Sequence, residues 1–391
     1  MKTLKDFDVE NKRVLVRCDF NVPLDERGDI EDDFRIEQTV PTIKYLINGG
    51  AKIILMSHLG NPKGEVVESL RLISIQKKLA EYLGFPVIKT SDCIGEEIEK
   101  QVLKLKRGEI LLLENLRFHK EEEENDSEFV KGLAKLGDIY INDAFGVSHR
   151  KHASIVGIPE HLPSGVGFLF EKEIKILSKV LEKPERPLTV IIGGAKIANK
   201  AKFIKDFFKK ADYLLIGGKI ANTILVVRGV CISKLWPAKE IVKEVNGLDL
   251  TSTKLHLPVD AIVSADAEGA HVKESALGKV KKEELILDIG PETIKVFSKV
   301  IERAKTIVWS GPVGFFEKKA FEKGTKRVAE EIAKNREAYK IIGGGDTIYT
   351  VSKFGLRDKF NHISTGGGAM LNFLSGEELP GLKALEESKK R

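Results

Sequence analysis

The feature that most constrains the fold of this chain is a repeated alternation of short apolar runs with helical patterns. Most of the runs are rich in β-branched residues and are followed by a turn and then by a helical pattern. They read RVLVR, AKIILM, EILLLEN, DIYIND, LTVII, YLLIG, AIVSA, TIVWS, YKIIG and HIST. Continuous apolar strands alternating with helices predict parallel sheets covered on both faces, with right-handed connections between the strands.

The 391 residues allow two or three domains, and two halves differ in the residues that come after their strands. Polar and cationic residues come after the strands of the first half, and glycines come after those of the second. The segment between them has apolar residues at helical spacing and ends at Pro184 and Pro187. We therefore predict an α/β protein with two Rossmann-like parallel-sheet domains, a hinge helix joining them and a cleft between them. The predicted ranges are 1–168 for the first domain, 169–183 for the hinge helix, 184–370 for the second domain and 371–391 for a tail returning toward the first.

Composition excludes several classes of function. The formal charge is only +6, from 64 basic and 58 acidic residues, and no long Lys/Arg run points to nucleic acid. No window approaches the roughly 20 apolar residues of a membrane span, and the N-terminus lacks the apolar core of a signal peptide. Cys18, Cys93 and Cys231 are far apart and form no CxxC pair, so we expect neither a disulfide nor a structural zinc site, and a cytoplasmic location.

The glycine turns of the second half predict an anion-binding edge. Open parallel sheets bind ligands at the carboxyl ends of their strands, where glycine lets backbone N–H groups approach an anion and the next helix adds its positive N-terminus. A tight turn explains a single Gly-Gly equally well, but several such turns on one sheet favour a polyphosphate ligand. The turns contain Gly193, Gly217, Gly311, Gly343 and Gly366.

Two of these turns carry further chemistry. In IIGGGDT, Asp346 and Thr347 are either a helix N-cap pair or a Mg²⁺ ligand and a phosphate ligand. In TGGGAMLNFL, three glycines open a helix whose dipole would face a transferring phosphoryl group. Lys196 and Lys200, four apart after Gly194, are either a surface pair or phosphate contacts. Neither a P-loop motif nor a GxGxxG turn after a strand is present, which disfavours P-loop and dinucleotide-binding enzymes.

The strand ends of the first half predict a basic pocket. The guanidinium group of arginine matches carboxylate and phosphate oxygens two at a time, although any one of these cations could equally form a surface ion pair. Their placement after successive strands indicates one pocket for a small ligand with carboxylate and phosphate groups. The cationic residues at these ends are Arg17, Arg35, His58, Arg117, His149 and Arg150.

Three nearby patterns leave alternatives open or predict little chemistry. Asp19 and Asn21 either bind a substrate hydroxyl or form a strand-end turn. His149 and His152 form an HxxH pair, but two cations lie between them and no third ligand is close in sequence, which disfavours a metal site. The acidic run 121–124 predicts a solvent-exposed helix start.

Taken in order, the motifs of this chain resemble the phosphoglycerate kinase family over nearly the whole length. They are VRCDFNVP, SHLG, LLLENLRFH, NDAFGVSHR, GFLFEKE, GGAKIANK, LPVD, DIGPET, GPVGFFE, GGGDT and STGGGA. The resemblance implies a glycolytic and gluconeogenic enzyme that moves a phosphoryl group reversibly, by direct in-line transfer, from 1,3-bisphosphoglycerate to ADP, giving 3-phosphoglycerate and ATP. It also implies Mg²⁺ bound with the nucleotide, a cytoplasmic monomer, and no nucleic-acid or membrane partner.

The resemblance assigns the first domain to 3-phosphoglycerate and the second to the nucleotide. The implied catalytic residues are Arg35, Lys196, Gly367 and Gly368. The implied ligands of 3-phosphoglycerate are Asp19, Asn21, Arg35, His58, Arg117 and Arg150. The implied nucleotide ligands are Gly194, Lys196, Lys200, Glu317 for the ribose, Gly345, Asp346 with Mg²⁺, and Thr347 for a phosphate.

Five positions depart from the family pattern, mainly on the nucleotide side. They are Asn61, Asn199, Lys219, Ser310 and Asn372. They leave nucleotide affinity and choice open, and with them the alternative of a catalytically weak nucleotide-binding protein on the same fold. A kinase for a different acyl phosphate would require a remodelled basic pocket.

Overall fold

The computed structural model describes residues 1–194, 201–231, 237–249 and 252–388. The chain divides into two compact units, Met1–Leu177 with Glu377–Arg391 and Ser178–Gly376. Each unit contains a six-stranded sheet in which every strand pair is parallel. The prediction of two parallel-sheet α/β domains is confirmed, whereas the ligand assigned to each domain stays a prediction.

The first unit has the strand order β3-β4-β2-β1-β5-β6. Because β2 lies on one side of β1 and β5 on the other, the chain changes direction across the sheet at β1, and the loops at the carboxyl ends there can form a ligand crevice. Val14, Val16 and Ile53 are fully buried in one apolar cluster on this sheet. The strands are β1 (Arg13–Arg17), β2 (Lys52–Met56), β3 (Ile88–Lys89), β4 (Ile110–Leu112), β5 (Ile139–Asn142) and β6 (Ser164–Val166).

The helices that cover this sheet alternate with the strands along the chain. The last of them occupies the segment predicted as a hinge helix, and the boundary between the units falls inside it. They are α1 (Phe34–Asn48), α2 (Ile73–Leu83), α3 (Glu96–Lys104), α4 (Lys120–Glu124), α5 (Ser127–Ala134) and α6 (Phe168–Glu182).

The second unit has the strand order β15-β14-β13-β7-β8-β9, and a smaller antiparallel sheet has the order β11-β10-β12. The expectation that the AIVSA run joins a parallel sheet is wrong, because that run lies in β10, which pairs antiparallel with β11 and β12. An apolar run predicts burial but not the direction of its partners. The strands are β7 (Leu188–Ile192), β8 (Tyr213–Ile216), β9 (Leu255–His256), β10 (Asp260–Ser264), β11 (Lys273–Ala276), β12 (Leu285–Ile289), β13 (Thr306–Ser310), β14 (Tyr339–Gly343) and β15 (His362–Ser364).

The remaining helices belong to the second unit except α14, which lies in the part of the tail that belongs to the first. None of the helices in the described ranges is long and apolar enough to cross a membrane. They are α7 (Ala201–Lys210), α8 (Gly218–Val227), α9 (Lys239–Asn246), α10 (Pro291–Arg303), α11 (Lys323–Lys334), α12 (Gly345–Lys353), α13 (Gly367–Ser375) and α14 (Pro380–Ser388).

Candidate functional site

In the first unit, Arg35 of α1 reaches the loop after β1. Its Nη1 donates to Asp19 Oδ1 at 3.2 Å and to the Asn21 carbonyl at 2.8 Å. The Asp19 side chain is 2% exposed, and its Oδ2 has no hydrogen-bond partner in the described part of the chain. Arg35 thus holds one carboxylate oxygen of Asp19 and leaves the other as an unused buried acceptor.

The loops after β1, β2 and β4 are tied together by side chains predicted to bind substrate. Asn21 Oδ1 accepts from the Gly60 amide at 2.8 Å, and Arg117 Nη1 donates to the Gly60 carbonyl at 2.9 Å. Arg117 Nε also lies 3.2 Å from a carboxylate oxygen of Glu123. These contacts bring residues from three separate strand ends into one cluster.

A buried polar network lies beneath this cluster. Arg17 and Glu122 are both fully buried, and Arg17 Nη2 lies 3.8 Å from Glu122 Oε1 and 3.3 Å from His58 Nδ1. Ser154 joins them, because its hydroxyl donates to Glu122 Oε1 at 2.6 Å and accepts from Arg17 Nε at 2.7 Å. The expectation of a solvent-exposed acidic run is therefore wrong for Glu122, whose partners lie far from it in the sequence.

Three histidines near the basic cluster are neutral at pH 7. Burial, followed by the charge of Arg17, holds the pKa of His58 well below its usual range. Burial and then Arg150 lower the pKa of His149 to about 4, and burial with neighbouring arginines lowers that of His152 to about 3. The positive charge available to a ligand therefore resides on the arginines. Among them, Arg150 is exposed, and its side chain makes no hydrogen bond or ion pair to the rest of the described chain.

In the second unit, close backbone contacts explain the glycines at the strand ends. A Cβ on Gly193 would lie 2.1 Å from the Pro312 carbonyl oxygen, which is too close for any side chain. Gly218 has a φ of +62°, and a Cβ there would lie 2.8 Å from the Gly194 nitrogen. Gly194 itself donates its N–H to the Pro312 carbonyl at 2.7 Å. The turns after β7, β8 and β13 thus pack backbone against backbone.

Among the described helices of this unit, several begin after a glycine, and those beside the strand ends β8, β14 and β15 have no side-chain cap. They are α8, α12 and α13, which begin after Gly217, Gly344 and Gly366. A Cβ on Gly367 would lie 2.5 Å from the Gly344 Cα, so the starts of α12 and α13 are in direct backbone contact. First-turn amides without a cap are donors for a bound anion, and the helix dipole adds to the attraction. Gly345 and Gly368 are exposed at these two starts.

A cavity of about 490 Å³ lies in the second unit beside these turns. Its lining includes apolar residues such as Val226, Ile286 and Val313, together with Gly194 and Lys219. The predicted ligands Glu317 and Asp346 also line it. Both carboxylates are exposed and make no hydrogen bond or ion pair to other described residues. The cavity therefore combines an apolar wall, a glycine edge and two available carboxylates.

One hydroxyl group and one carboxyl group of this unit already have hydrogen-bond partners within the fold. Thr347 is fully buried, and its Oγ1 accepts from the Gly311 amide at 2.7 Å. Asp288, which was not among the predicted site residues, lines the cavity, and burial raises its pKa to about 7. Its Oδ2 accepts from the Gly324 amide at 2.6 Å. The available signal was one charged residue inside the apolar run LILDI.

Some of the predicted nucleotide-side residues lie outside the described part of the chain. These are Lys196, Lys200 and the departing residue Asn199. Of the other departures, Lys219 lines the cavity and Ser310 is buried at the end of β13, where its carbonyl accepts from the Gly193 amide at 3.0 Å. The roles of all the site residues stay predictions.

Comparison with known proteins identifies the family. The family model described as phosphoglycerate kinase matches residues 4–377. The chain is 49% identical to phosphoglycerate kinase of Dictyoglomus turgidum, covering 98% of both chains, and 48% identical to that of Moorella thermoacetica, covering 98% of this chain and 99% of the relative.

Solved structures agree in fold. Phosphoglycerate kinase of Pyrococcus horikoshii aligns over 100% of both chains with a TM-score of 0.88 and 34% identity. That of Coxiella burnetii aligns over 99% of both chains with a TM-score of 0.80 and 36% identity. The chain belongs to the phosphoglycerate kinase family.

Proposed function

We propose that this protein transfers a phosphoryl group reversibly between 1,3-bisphosphoglycerate and ADP, giving 3-phosphoglycerate and ATP. One observation carries the proposal: arginines gather at the strand ends of one parallel sheet, and uncapped helix starts gather beside a cavity in the other unit. The first arrangement suits a small anion with carboxylate and phosphate groups, and the second suits a nucleotide polyphosphate.

On the substrate side, we assign the anionic groups of 3-phosphoglycerate to Arg35, Arg117 and Arg150. Arg150 is the exposed cation of this group, and the other two are held by neighbouring acceptors. The unused Oδ2 of Asp19 can accept from the substrate hydroxyl, and this contact would satisfy a buried acceptor that otherwise costs free energy. Asn21 and His58 complete the pocket wall in this assignment.

On the nucleotide side, we assign the base to the apolar wall of the cavity and the ribose hydroxyls to Glu317. The phosphates would lie against Gly194 and the amides of Gly345, Gly367 and Gly368 at the helix starts. The family resemblance adds Lys196 and Lys200 to the phosphate contacts. Because its hydroxyl already accepts from Gly311, Thr347 would contribute mainly its backbone amide.

The residues present fit a Mg²⁺ ion accompanying the nucleotide. Mg²⁺ prefers oxygen ligands and binds proteins through one or two carboxylates together with substrate phosphates. Asp346 offers an exposed carboxylate beside the uncapped start of α12, with no competing ion pair among the described residues. When bound, the ion would neutralise charge on the polyphosphate.

The chemistry needs no general base from the protein. The carboxylate of 3-phosphoglycerate and the terminal oxygens of ADP are already ionised at pH 7, since carboxyl groups titrate near about 4. Positioning and charge stabilisation are therefore the main demands on the site, and arginines with aimed amides meet them. Arg35 and the amides of Gly367 and Gly368 would stabilise the transferring group, together with Lys196.

The test is to mix the purified protein with 1,3-bisphosphoglycerate and Mg-ADP and to follow ATP. We expect ATP formation that depends on both substrates, and its absence above background would overturn the proposal. Binding of Mg-ADP without turnover would favour the non-catalytic alternative, and turnover with acetyl phosphate would indicate a different acyl-phosphate donor. We further propose a cytoplasmic monomer, which cell fractionation and light scattering would test.

A further inference from the structure

Three potential metal ligands meet in the first unit, and none of them is assigned to either substrate, although His119 lies two residues from Arg117. They are Asp92, Cys93 and His119, and one ligand atom from each lies within 4.8 Å of the other two. No other group of three such residues meets this criterion in the described ranges 1–194, 201–231, 237–249 and 252–388. The cluster combines sulfur, imidazole nitrogen and carboxylate oxygen, so its chemistry differs from the oxygen ligands that Mg²⁺ prefers.

The fold brings the three side chains together through two neighbouring strands. Asp92 and Cys93 come after β3, and His119 comes after the short turn that ends β4. β3 and β4 pair in parallel, so their carboxyl ends and the loops beyond them lie at the same edge of the sheet. Their separation in the sequence, and the absence of a second cysteine, explain why a search for cysteine pairs predicts no site here.

The ligand side chains are held in place by contacts of their own. His119 Nε2 lies 2.7 Å from Asp92 Oδ1, and the His119 ring packs against Phe129 with centroids 5.3 Å apart. The Cys93 amide donates to Asp92 Oδ1 at 2.7 Å, and the Glu114 amide donates to the Asp92 carbonyl at 3.3 Å. These contacts hold the His119 imidazole and the Asp92 carboxylate in place before any ion binds.

Exposure differs across the cluster. The Cys93 side chain is fully buried, that of His119 is 26% exposed, and that of Asp92 is 50% exposed. An ion would enter past Asp92 and reach a thiol sheltered from solvent. Glu121 and Glu122 act electrostatically on His119 and Cys93, respectively, so negative charge surrounds the position.

We propose that Asp92, Cys93 and His119 bind one borderline-soft divalent cation, Zn²⁺ by preference, with water as a fourth ligand. Adjacent ligand atoms in a tetrahedral zinc site lie about 3.3–3.8 Å apart, from bond lengths of about 2.0–2.3 Å. The present ligand atoms lie within 4.8 Å of one another, so the side chains must rotate to reach that spacing. The thiol proton leaves to solvent on binding, and no oxidant or reductant takes part.

The ion would fasten the segment after β3 to the turn after β4. That turn also carries Arg117, whose Nη1 donates to the Gly60 carbonyl. Metal binding at this position therefore stabilises the folded first unit, because the three ligands come together only in the folded chain. The inference does not depend on the proposed kinase activity.

Co²⁺ titration in Mg²⁺-free buffer tests the site, because a thiolate ligand to Co²⁺ gives a charge-transfer absorption. We expect one Co²⁺ per chain with this absorption, displaced by Zn²⁺. Cys93→Ser should abolish the absorption, and Asp92→Asn and His119→Gln should each weaken Co²⁺ binding by at least about tenfold. Cys231→Ser and His161→Gln, which alter a thiol and an exposed imidazole elsewhere, should change neither quantity.

Thermal unfolding with and without Zn²⁺ keeps the test decisive if Cys93→Ser does not fold. Asp92 is half exposed, so Asp92→Asn should fold, and it should lose the Zn²⁺-dependent rise in Tm that the unaltered protein shows. No thiolate absorption in the unaltered protein would overturn the proposal. So would an Asp92→Asn variant with lower Tm but undiminished Co²⁺ binding, which would assign the Asp92–His119 contact a structural role alone.

Discussion

In the proposed sites, the carboxyl ends of the two six-stranded sheets would bind anions in opposite ways. In the first unit, the ligands would be long charged side chains. Each of the arginines Arg17, Arg35 and Arg117 is held by a carboxylate or carbonyl. In the second unit, the ligands would be backbone amides at the helix starts after Gly344 and Gly366, which lack side-chain caps. One edge therefore carries fixed charge, and the other carries fixed dipoles.

The two solutions are vulnerable to different changes. A charged pocket fails when a charge is removed or when its supporting partner is lost, because an unpaired buried charge is costly. A backbone pocket fails when a side chain is added, because the amides can approach a ligand and one another only without a Cβ. Truncation should therefore disable the first edge, and enlargement should disable the second.

We call the arginine-rich carboxyl end of the first sheet the basic edge. The largest effect is expected from truncating an arginine there. Arg35→Ala removes a cation held by Asp19 and Asn21, and we expect kcat to fall by at least about 10²-fold, the scale of losing one transition-state charge contact. Steady-state assay of ATP formation measures it. Arg27→Ala, at an exposed turn, is the matched control and should retain full activity. Near-normal turnover of Arg35→Ala would remove Arg35 from the catalytic assignment.

The second largest effect is expected from adding a side chain at the glycine turns of the second sheet, which we call the glycine edge. A Cβ on Gly367 would meet the Gly344 Cα at 2.5 Å, so Gly367→Ala must move one helix start. We expect a loss of about 1–3 kcal/mol in unfolding free energy, as for overpacking, with a raised KM for ADP. Gly278→Ala is the control, since its Cβ would meet nothing within 4 Å. Equal behaviour of the two variants in denaturant titration would contradict the backbone contact as the reason for glycine.

The sequence predicts much of both edges, because strand ends in parallel sheets are readable from apolar runs and the residues just beyond them. Arg117 and the glycine turns lie just beyond such runs, whereas Arg35 lies in α1 and reaches the loop after β1 only through its side chain. Side-chain contacts between residues far apart in the sequence cannot be predicted in this way. Glu122 has the pattern of an exposed acidic run, yet it is buried against Ser154, which lies 32 residues away.

Two further features could not be read from local pattern. β10 pairs antiparallel with β11 and β12, and β11 is mostly polar and largely exposed, so it gives no strand signal. The hydroxyl of Thr347 is used by the Gly311 amide, 36 residues away, and a helix-start threonine shows nothing of this in the sequence. In both cases tertiary partners, rather than local preference, decide the outcome.

Two carboxylates in the cavity, Asp346 and Glu317, allow the proposed metal and ribose contacts to be tested separately. Asp346→Asn should raise the KM for Mg-ADP by about tenfold and shift the Mg²⁺ dependence to higher concentration, since a charged ligand contact is lost. Glu317→Gln should raise the KM by about fivefold without altering the Mg²⁺ dependence. Initial rates over a grid of ADP and Mg²⁺ concentrations distinguish them. Identical Mg²⁺ dependence in both variants would refute the separate roles.

The smallest expected effect concerns His152, a histidine near the arginines of the first unit that carries no charge in the folded protein. Burial and the neighbouring arginines lower the pKa of His152 to about 3, although Glu122 Oε1 lies 3.9 Å from its Nδ1. The unfolded chain, with a histidine pKa near about 6.5, binds the extra proton first, so stability falls as pH drops below that value.

In His152→Gln the contribution of this histidine to the pH dependence of stability is absent, while the neighbouring arginines remain. Between pH 7.5 and pH 6, the loss of unfolding free energy should be smaller than in the unaltered protein by about 0.8 kcal/mol, the value for one histidine that stays neutral only when folded. Denaturant titrations at the two pH values measure it, with the exposed His161→Gln as control. An unchanged pH dependence would mean that His152 takes up its proton in the folded protein too. The basic edge would then gain charge on acidification instead of losing stability.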